Sequence, residues 1–521
     1  GSGLVGSEMC IRDRKSPLAS QAYIIYPFNE KNIKEALEFT KQTGLKYLYH
    51  GGPFSEWGHF VLNPNEFPSG WEGLKKCVDI AKAEGIKLGV HTLSNFITTN
   101  DKYVTPVPDK RLAIVGASQI SKDIDKTCKD IEIDDPLFFN QMKNNNLHGV
   151  RIGNELIRYE RVSENAPWKL LNCERGAWGT QADNHKKGEE IVKLMDHGYK
   201  TFLTNIELTQ EIARTIADLF NQTGIRQISF DGLEGCNSTG MGQYGVNLMM
   251  EEWYNHLNPE YHDNINDASM TTHFNWHIFT RMNWGEPWYA GFRESQMGYR
   301  LMNQDFYRRN LIPCMLGWFK LDANTSIEDI NWLLARSAAF NAGYTFVTDG
   351  EKVANNGQSK EIIQAIKEWE KARLNGAFPT ELRKEMEHIT NEYRLEPTSE
   401  NRWNLYSCKP VRFSHQNVVR QPGEPVVSKW EYENPYKRQP LQFILKANDV
   451  VSDISIEIGN FSTVNIPVKL KEGEAIRYTG NSEIQICDKN WNILQRIFID
   501  SSKLEVPQGK SSLTVSYTHL R

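Results

Sequence analysis

One rhythm constrains this chain more than any other feature: an apolar stretch, then an amphipathic one, repeated from residue 21 to about residue 374. "QAYIIYPF" reads as a strand, and "NEKNIKEALEFTKQTG" as the helix after it, stopped at Gly44. "LKYLYHGG" with "GWEGLKKCVDIAKAEG" repeats the pair, and "IKLGVHTLS" opens a third. After an interruption come "YKTFLTNIE" with "LTQEIARTIADLFNQTG", and "RQISFDGLE" with a helix over about 246–257. "ASMTTHFNW", "LIPCMLGWFKL" and "YTFVTDG" lead the last three pairs. Period-two alternation marks the strands, and 3.6-residue apolar spacing with glycine stops marks the helices. Eight such units predict an α/β fold with a parallel sheet, and eight is the number that closes into a (β/α)8, or TIM, barrel.

The rest of the chain has a different texture. Residues 99–196 carry short alternating runs such as "GVRIGNELIRYERV" and predict a small β domain inserted into a barrel spanning 21–98 and 197–390. Within it, Arg175-Gly-Ala-Trp-Gly-Thr followed by His185 and Gly188 resembles a pattern of β-rich modules of phage-tail type. The resemblance implies a structural role. Residues 395–514, with "VVSDISIEIGNFSTVNIPVKLK", predict a C-terminal β-sandwich. "GSGLVGSEMCIRDR" and "VSYTHLR" resemble translated adapter read-through, so residues 1–20 and 515–521 are expected to lie outside the native fold.

Composition narrows the function. A net charge of −5 gives no footing for a nucleic acid, and no apolar run approaches membrane-spanning length. The eight cysteines form no CxxC pair, and the histidines show no ligand spacing, so neither a metal nor another cofactor is expected. The 14 Trp, 20 Tyr and 23 Phe suit either large cores or a cleft that stacks on sugar rings.

Strand parity then selects candidates. In "QISFD", Ile228 and Phe230 belong outward against helices, which turns Gln227, Ser229 and Asp231 inward, with Asp231 at the C-terminal rim. Ile86, Leu88 and Val90 likewise turn His91 inward, and Phe202 with Ile206 does so for Asn205 and Glu207. His50 and Asp349 end the second and eighth strands, and Asn275, Trp276 and His277 close the sixth. Trp57, Arg293, Trp318 and Tyr26 fall at the same end, where barrel enzymes place their chemistry. Glu234, in the loop after Asp231, is the second acid. Each has a plainer role open to it: turn former, helix cap or polar plug.

Barrel, β insertion and terminal β-sandwich together resemble barrel-type glycosidases and other polysaccharide-degrading enzymes of bacteria. The resemblance implies a carbohydrate substrate and a secreted, periplasmic or outer-surface location. Three functions fit. A glycoside hydrolase would use Asp231 as its anionic carboxylate and Glu234 as its acid, with Glu207 or Asp349 as substitutes and His91, Asn205 and His50 on hydroxyls. A polysaccharide lyase acting on uronates would instead use His50, His91, Asn205, His273 or His277, Tyr26 and Arg293. A glycan-binding protein would need the aromatics and no working acid.

Overall fold

The parallel sheet consists of Tyr23–Ile25, Tyr47–His50, Lys87–Leu93, Gln227–Asp231, Ile265–Ala268, Arg281–Met282, Met315–Lys320 and Gly343–Val347, named first to eighth below. The computed structural model describes residues 21–140, 146–270, 274–275, 277–282, 291–294, 299–310, 312–414 and 427–519. The strand order is sixth, fifth, fourth, third, second, first, eighth, seventh. That is the cyclic order of a (β/α)8 barrel, written out from a break between sixth and seventh. Alternation decides what faces in. Tyr23, Ile25, Tyr47, Tyr49, Ile265 and Met315 form one buried cluster, with Trp318 and Val347 packed on it.

Two of the eight predicted strands are drawn differently. "YKTFLTNIE" is not in the parallel sheet: only Thr201–Phe202 is extended, pairing antiparallel with Ile97–Thr98. Lys200 takes a left-handed φ of 59° and Asn205 caps the helix Ile206–Thr223, so the run is too short to cross the barrel. The third strand therefore pairs directly with Gln227–Asp231. The fifth strand is Ile265–Ala268, where buried Asn266 and Asp267 hide the apolar alternation, and it ends before most of "ASMTTHFNW".

The helices follow their apolar stripes. In Ile206–Thr223, Leu208, Ile212, Ile216, Leu219 and Phe220 are buried, and left-handed Gly224 ends it. No described helix is long and apolar enough to cross a membrane.

The chain divides into two units. Residues 1–319 and 340–347 form the first, and residues 320–339 and 348–521 the second. The insertion belongs to the first. Its strands Ile114–Gln119, Gly149–Ile152, Glu155–Arg158 and Glu190–Leu194 make a four-stranded sheet over a core including Ile120, Val150, Ile157 and Ile191. The Arg175…His185 pattern has a clear physical job there. Glu155, 1% exposed at its side chain, accepts from Arg175 Nε and Nη2 at 2.8 Å each and lies 2.7 Å from His185 Nε2. The Gly176 and Asp183 N–H groups complete the shell at 2.9 and 3.1 Å. The pattern is a clasp around one buried carboxylate.

In the second unit, two four-stranded antiparallel sheets share one core of Ile454, Ile456, Ile466, Ile476, Ile484 and Leu504, the packing of a β-sandwich. Its last strand, Gly509–His519, pairs with Val451–Ile458 and so includes residues expected to be tail. Helices Ser359–Leu374 and Thr380–Glu387 fall in this same unit, not with the barrel strands.

Candidate active site

Asp231 ends the fourth strand because the chain turns sharply after it. Gly232 takes φ 68°, and a Cβ there would meet the Phe96 ring at 2.7 Å, so the turn admits little but glycine. The turn presents the Gly232 N–H to Asp231 Oδ1 at 2.9 Å. His91 Nε2 lies 3.6 Å from Oδ2, and the two side chains are 34% and 17% exposed for Asp231 and His91. Burial is the largest influence on this carboxyl and opposes ionisation. His91, the Gly232 N–H and the nearby His197 outweigh it and hold Asp231 below the ordinary aspartate value.

Trp318 of the seventh strand forms the facing wall. Its ring lies 6.1 Å from His91 and 6.3 Å from Tyr49. Its Nε1–H donates to Tyr23 Oη at 3.0 Å, and that hydroxyl donates to Asp267 Oδ2 at 3.0 Å. The indole is fixed from below as well. Arg300 donates to the carbonyls of Leu316 and Trp318 at 2.8 and 3.1 Å, its guanidinium filling the space where a Cβ on Gly317 would stand. Tyr49 is fully buried, and its phenol sits well above the ordinary range through burial first, then the charges of Tyr23 and Asp267, with a smaller push from Asp231. An ionised carboxylate, an imidazole, a neutral phenol and an indole thus share one end of the lumen.

Glu234 lies in the 3-10 turn Leu233–Thr239, 49% exposed, with His197 Nε2 4.0 Å away. His197 comes from the returning end of the insertion and packs edge-on against Phe96 at 4.8 Å.

Several candidates stand elsewhere. His50 shares the parity of Leu48, not of Tyr49: it is 4% exposed, packs on Phe28 and Phe67 and lies 3.3 Å from Glu66. Tyr26 likewise points away from the lumen and donates to Glu35 Oε1 of the first helix at 2.6 Å. Asn205 is the N-cap of Ile206–Thr223, accepting from Leu208 N at 3.0 Å, and Glu207 is exposed in that helix's first turn. The short alternating run predicts both inside, but the chain is extended there only at Thr201–Phe202 and turns into the helix at Asn205. Asn275 is buried and donates to Asn247 at 3.0 Å, while His277 stands 6.2 Å from the Tyr254 ring of helix Gln243–His256. Trp57 packs on the cluster of Leu93, Phe96, Ala113 and Leu203 at the mouth. Asp349, in the second unit, caps Gly350–Ala354 by accepting from Lys352 N at 2.9 Å and pairs with Lys352 Nζ at 3.1 Å. Arg293 is half-exposed in the stretch 291–294, and His273 and Trp276 lie outside the described residues.

Parity applied to the first two strands would have found Tyr23 and Tyr49, since Ile24 and Leu48 are the outward set. Asp267 carried no such signal, because its strand is polar on both sides. Among the described residues, no group of three His, Cys, Asp or Glu side chains is placed to hold a metal ion.

No family model and no curated protein matches the chain. Among solved structures it is similar to an α-amylase from Geobacillus thermoleovorans complexed with acarbose, at 9% identity and TM-score 0.38, over 95% of this chain and 98% of that one. It is also similar to an isomalto-dextranase from Arthrobacter globiformis T6 complexed with panose, at 10% identity and TM-score 0.40, over 98% and 95%. An α-galactosidase from Lactobacillus brevis shows 9% identity and TM-score 0.40, over 96% of this chain and 55% of that one, so the chain spans about half that enzyme's length. At these values the likeness is one of architecture.

Proposed function

We propose that the protein is a glycoside hydrolase in which Asp231 is the carboxylate that stabilises or attacks the cationic sugar centre. The observation that carries this reading is the state of Asp231: a part-exposed acid at the barrel mouth, held ionised by His91 and the Gly232 N–H. Glycoside cleavage needs one carboxylate kept anionic and a second group that protonates the leaving oxygen. Glu234, on the same rim and half-exposed, takes the second role. Trp318 offers the flat apolar face on which a pyranose stacks. With this goes the proposal that the protein works outside the bacterial cytoplasm, where polymeric glycans are met.

A second reading rests on Tyr49 and His91 beside the Asp231 carboxylate, an arrangement that also suits β-elimination from a uronate. Incubation with neutral and uronate-containing glycans separates the two. Hydrolysis releases new reducing ends without an unsaturated, ultraviolet-absorbing product. Appearance of that product moves the assignment to a lyase, and no cleavage of any glycan in a broad panel overturns both.

A further inference from the structure

A further histidine stands in a loop at the same end of the barrel, held by a carboxylate that the proposed reaction does not use. The loop after the second strand carries Glu56, Trp57, Gly58 and His59. Trp57 packs on the cluster containing Leu93, and Leu93 is the register partner of Asp231. Two bonds tie this loop to the start of the insertion: Thr98 N donates to Trp57 O, and Trp57 N donates to Thr98 Oγ1, both at 3.2 Å. Asp101 follows, with no exposed side-chain surface. Its Oδ2 accepts the His59 backbone N–H at 2.8 Å, and Oδ1 accepts that of Tyr103 at 2.9 Å. The carboxylate occupies the space where a Cβ on Gly58 would stand, 2.7 Å away.

The same Oδ1 lies 2.8 Å from His59 Nδ1. A carboxylate there makes Nδ1 the protonated nitrogen of the neutral ring, which leaves the lone pair on Nε2. Tyr103 holds the ring plane by stacking at 4.2 Å and 28°, and is itself anchored by donating to Glu211 Oε1 at 2.7 Å. Among the described residues Nε2 has no hydrogen-bond partner, and the His59 side chain is 34% exposed. The loop has other ties besides the imidazole: Asp101 also accepts two backbone N–H groups, and Trp57 is held by Thr98. What the ring adds is an acceptor of fixed tautomer and fixed plane, part-exposed in the loop that follows the second strand.

We propose that His59 Nε2 is a substrate contact, accepting a hydroxyl hydrogen from a sugar unit beyond the one whose bond is cleaved. This rests on the glycoside reading of the Asp231 site. Asp101 and Tyr103 are positioning residues that act through His59. The test measures KM and kcat for His59→Ala and His59→Gln on an oligosaccharide that the wild type cleaves, with thermal unfolding alongside. His59→Ala raises KM about tenfold, the worth of one good hydrogen bond, with kcat within about threefold; its melting temperature falls modestly, because Asp101 loses one of its donors and Tyr103 its stacked ring. His59→Gln, whose side-chain amide oxygen reaches the position of Nε2, recovers most of the loss. An unchanged KM in His59→Ala, or a glutamine variant as impaired as the alanine one, overturns the proposal while leaving the Asp231 assignment intact. Should the wild type cleave no glycan, the same substitutions are made in Asp231→Asn and read by saccharide titration. Binding weakened only by His59→Ala then supports the contact, and equal binding or none overturns it.

Discussion

Two carboxylate–histidine pairs in the first unit show how one chemistry is put to opposite uses. Glu155 in the insertion is 1% exposed and accepts from five donors, two of them on Arg175. The acid is spent on Arg175, His185 and two backbone N–H groups, and the histidine on Glu155 and Glu189. Asp231 at the mouth is 34% exposed, takes one backbone N–H, and has an imidazole 3.6 Å away. Both carboxyls are held below their ordinary values against the opposing effect of burial. Glu155 therefore has no acceptor site left to offer, whereas Asp231 is charged and unsaturated. A carboxylate that keeps its charge and leaves lone pairs open at a part-exposed position is available for a cationic centre.

The contrast can be broken from either side. The largest expected effect is on turnover: Asp231→Asn keeps the fold and removes the charge, so kcat falls by about 10³-fold or more while the unfolding free energy stays close to wild type. Loss of stability with activity retained would make Asp231 the structural member of the pair. Glu155→Ala does the reverse. It leaves Arg175 buried without its anion and His185 with Glu189 alone, and costs about 3–5 kcal/mol, read by denaturant unfolding. Since the Glu155 carboxyl titrates below its ordinary value when folded, its contribution is complete above about pH 4.3. The contribution is lost as pH falls through the folded value, so wild type and Glu155→Ala converge in acid. The smallest effect belongs to Glu207→Gln. An exposed first-turn acid interacts with the helix dipole alone, so stability drops by about 0.5 kcal/mol or less and activity stays within about twofold.

The same pairs mark what could be read in advance. Asp231 and His91 were legible because Ile228, Phe230, Leu88 and Val90 are unambiguous apolar neighbours that fix strand parity. Glu155 was not legible, since nothing local says that Arg175 and His185 converge on it from twenty and thirty residues away. The tyrosines failed for another reason: "YII" and "YLY" are hydrophobic at every position, so alternation is faint, and the polar ends Tyr26 and His50 drew attention from the inward Tyr23 and Tyr49. Asp267 was hidden by the polar lining it belongs to. Eight strands were counted, although "YKTFLTNIE" is no barrel strand and Arg281–Met282 is one. A two-residue strand carries too little sequence to announce itself.

The central claim is that Asp231 works as an anion and not as a proton donor, and the ionisation of that carboxyl tests it most directly. Carbon-13 NMR of aspartate-labelled protein, with the resonance assigned by Asp231→Asn, follows its titration in the wild type and in His91→Gln. The account predicts a wild-type value below the ordinary aspartate value of about 3.9, moving upward when the His91 charge and hydrogen bond are removed. A carboxyl that titrates well above that value in the wild type, or does not move in His91→Gln, contradicts it.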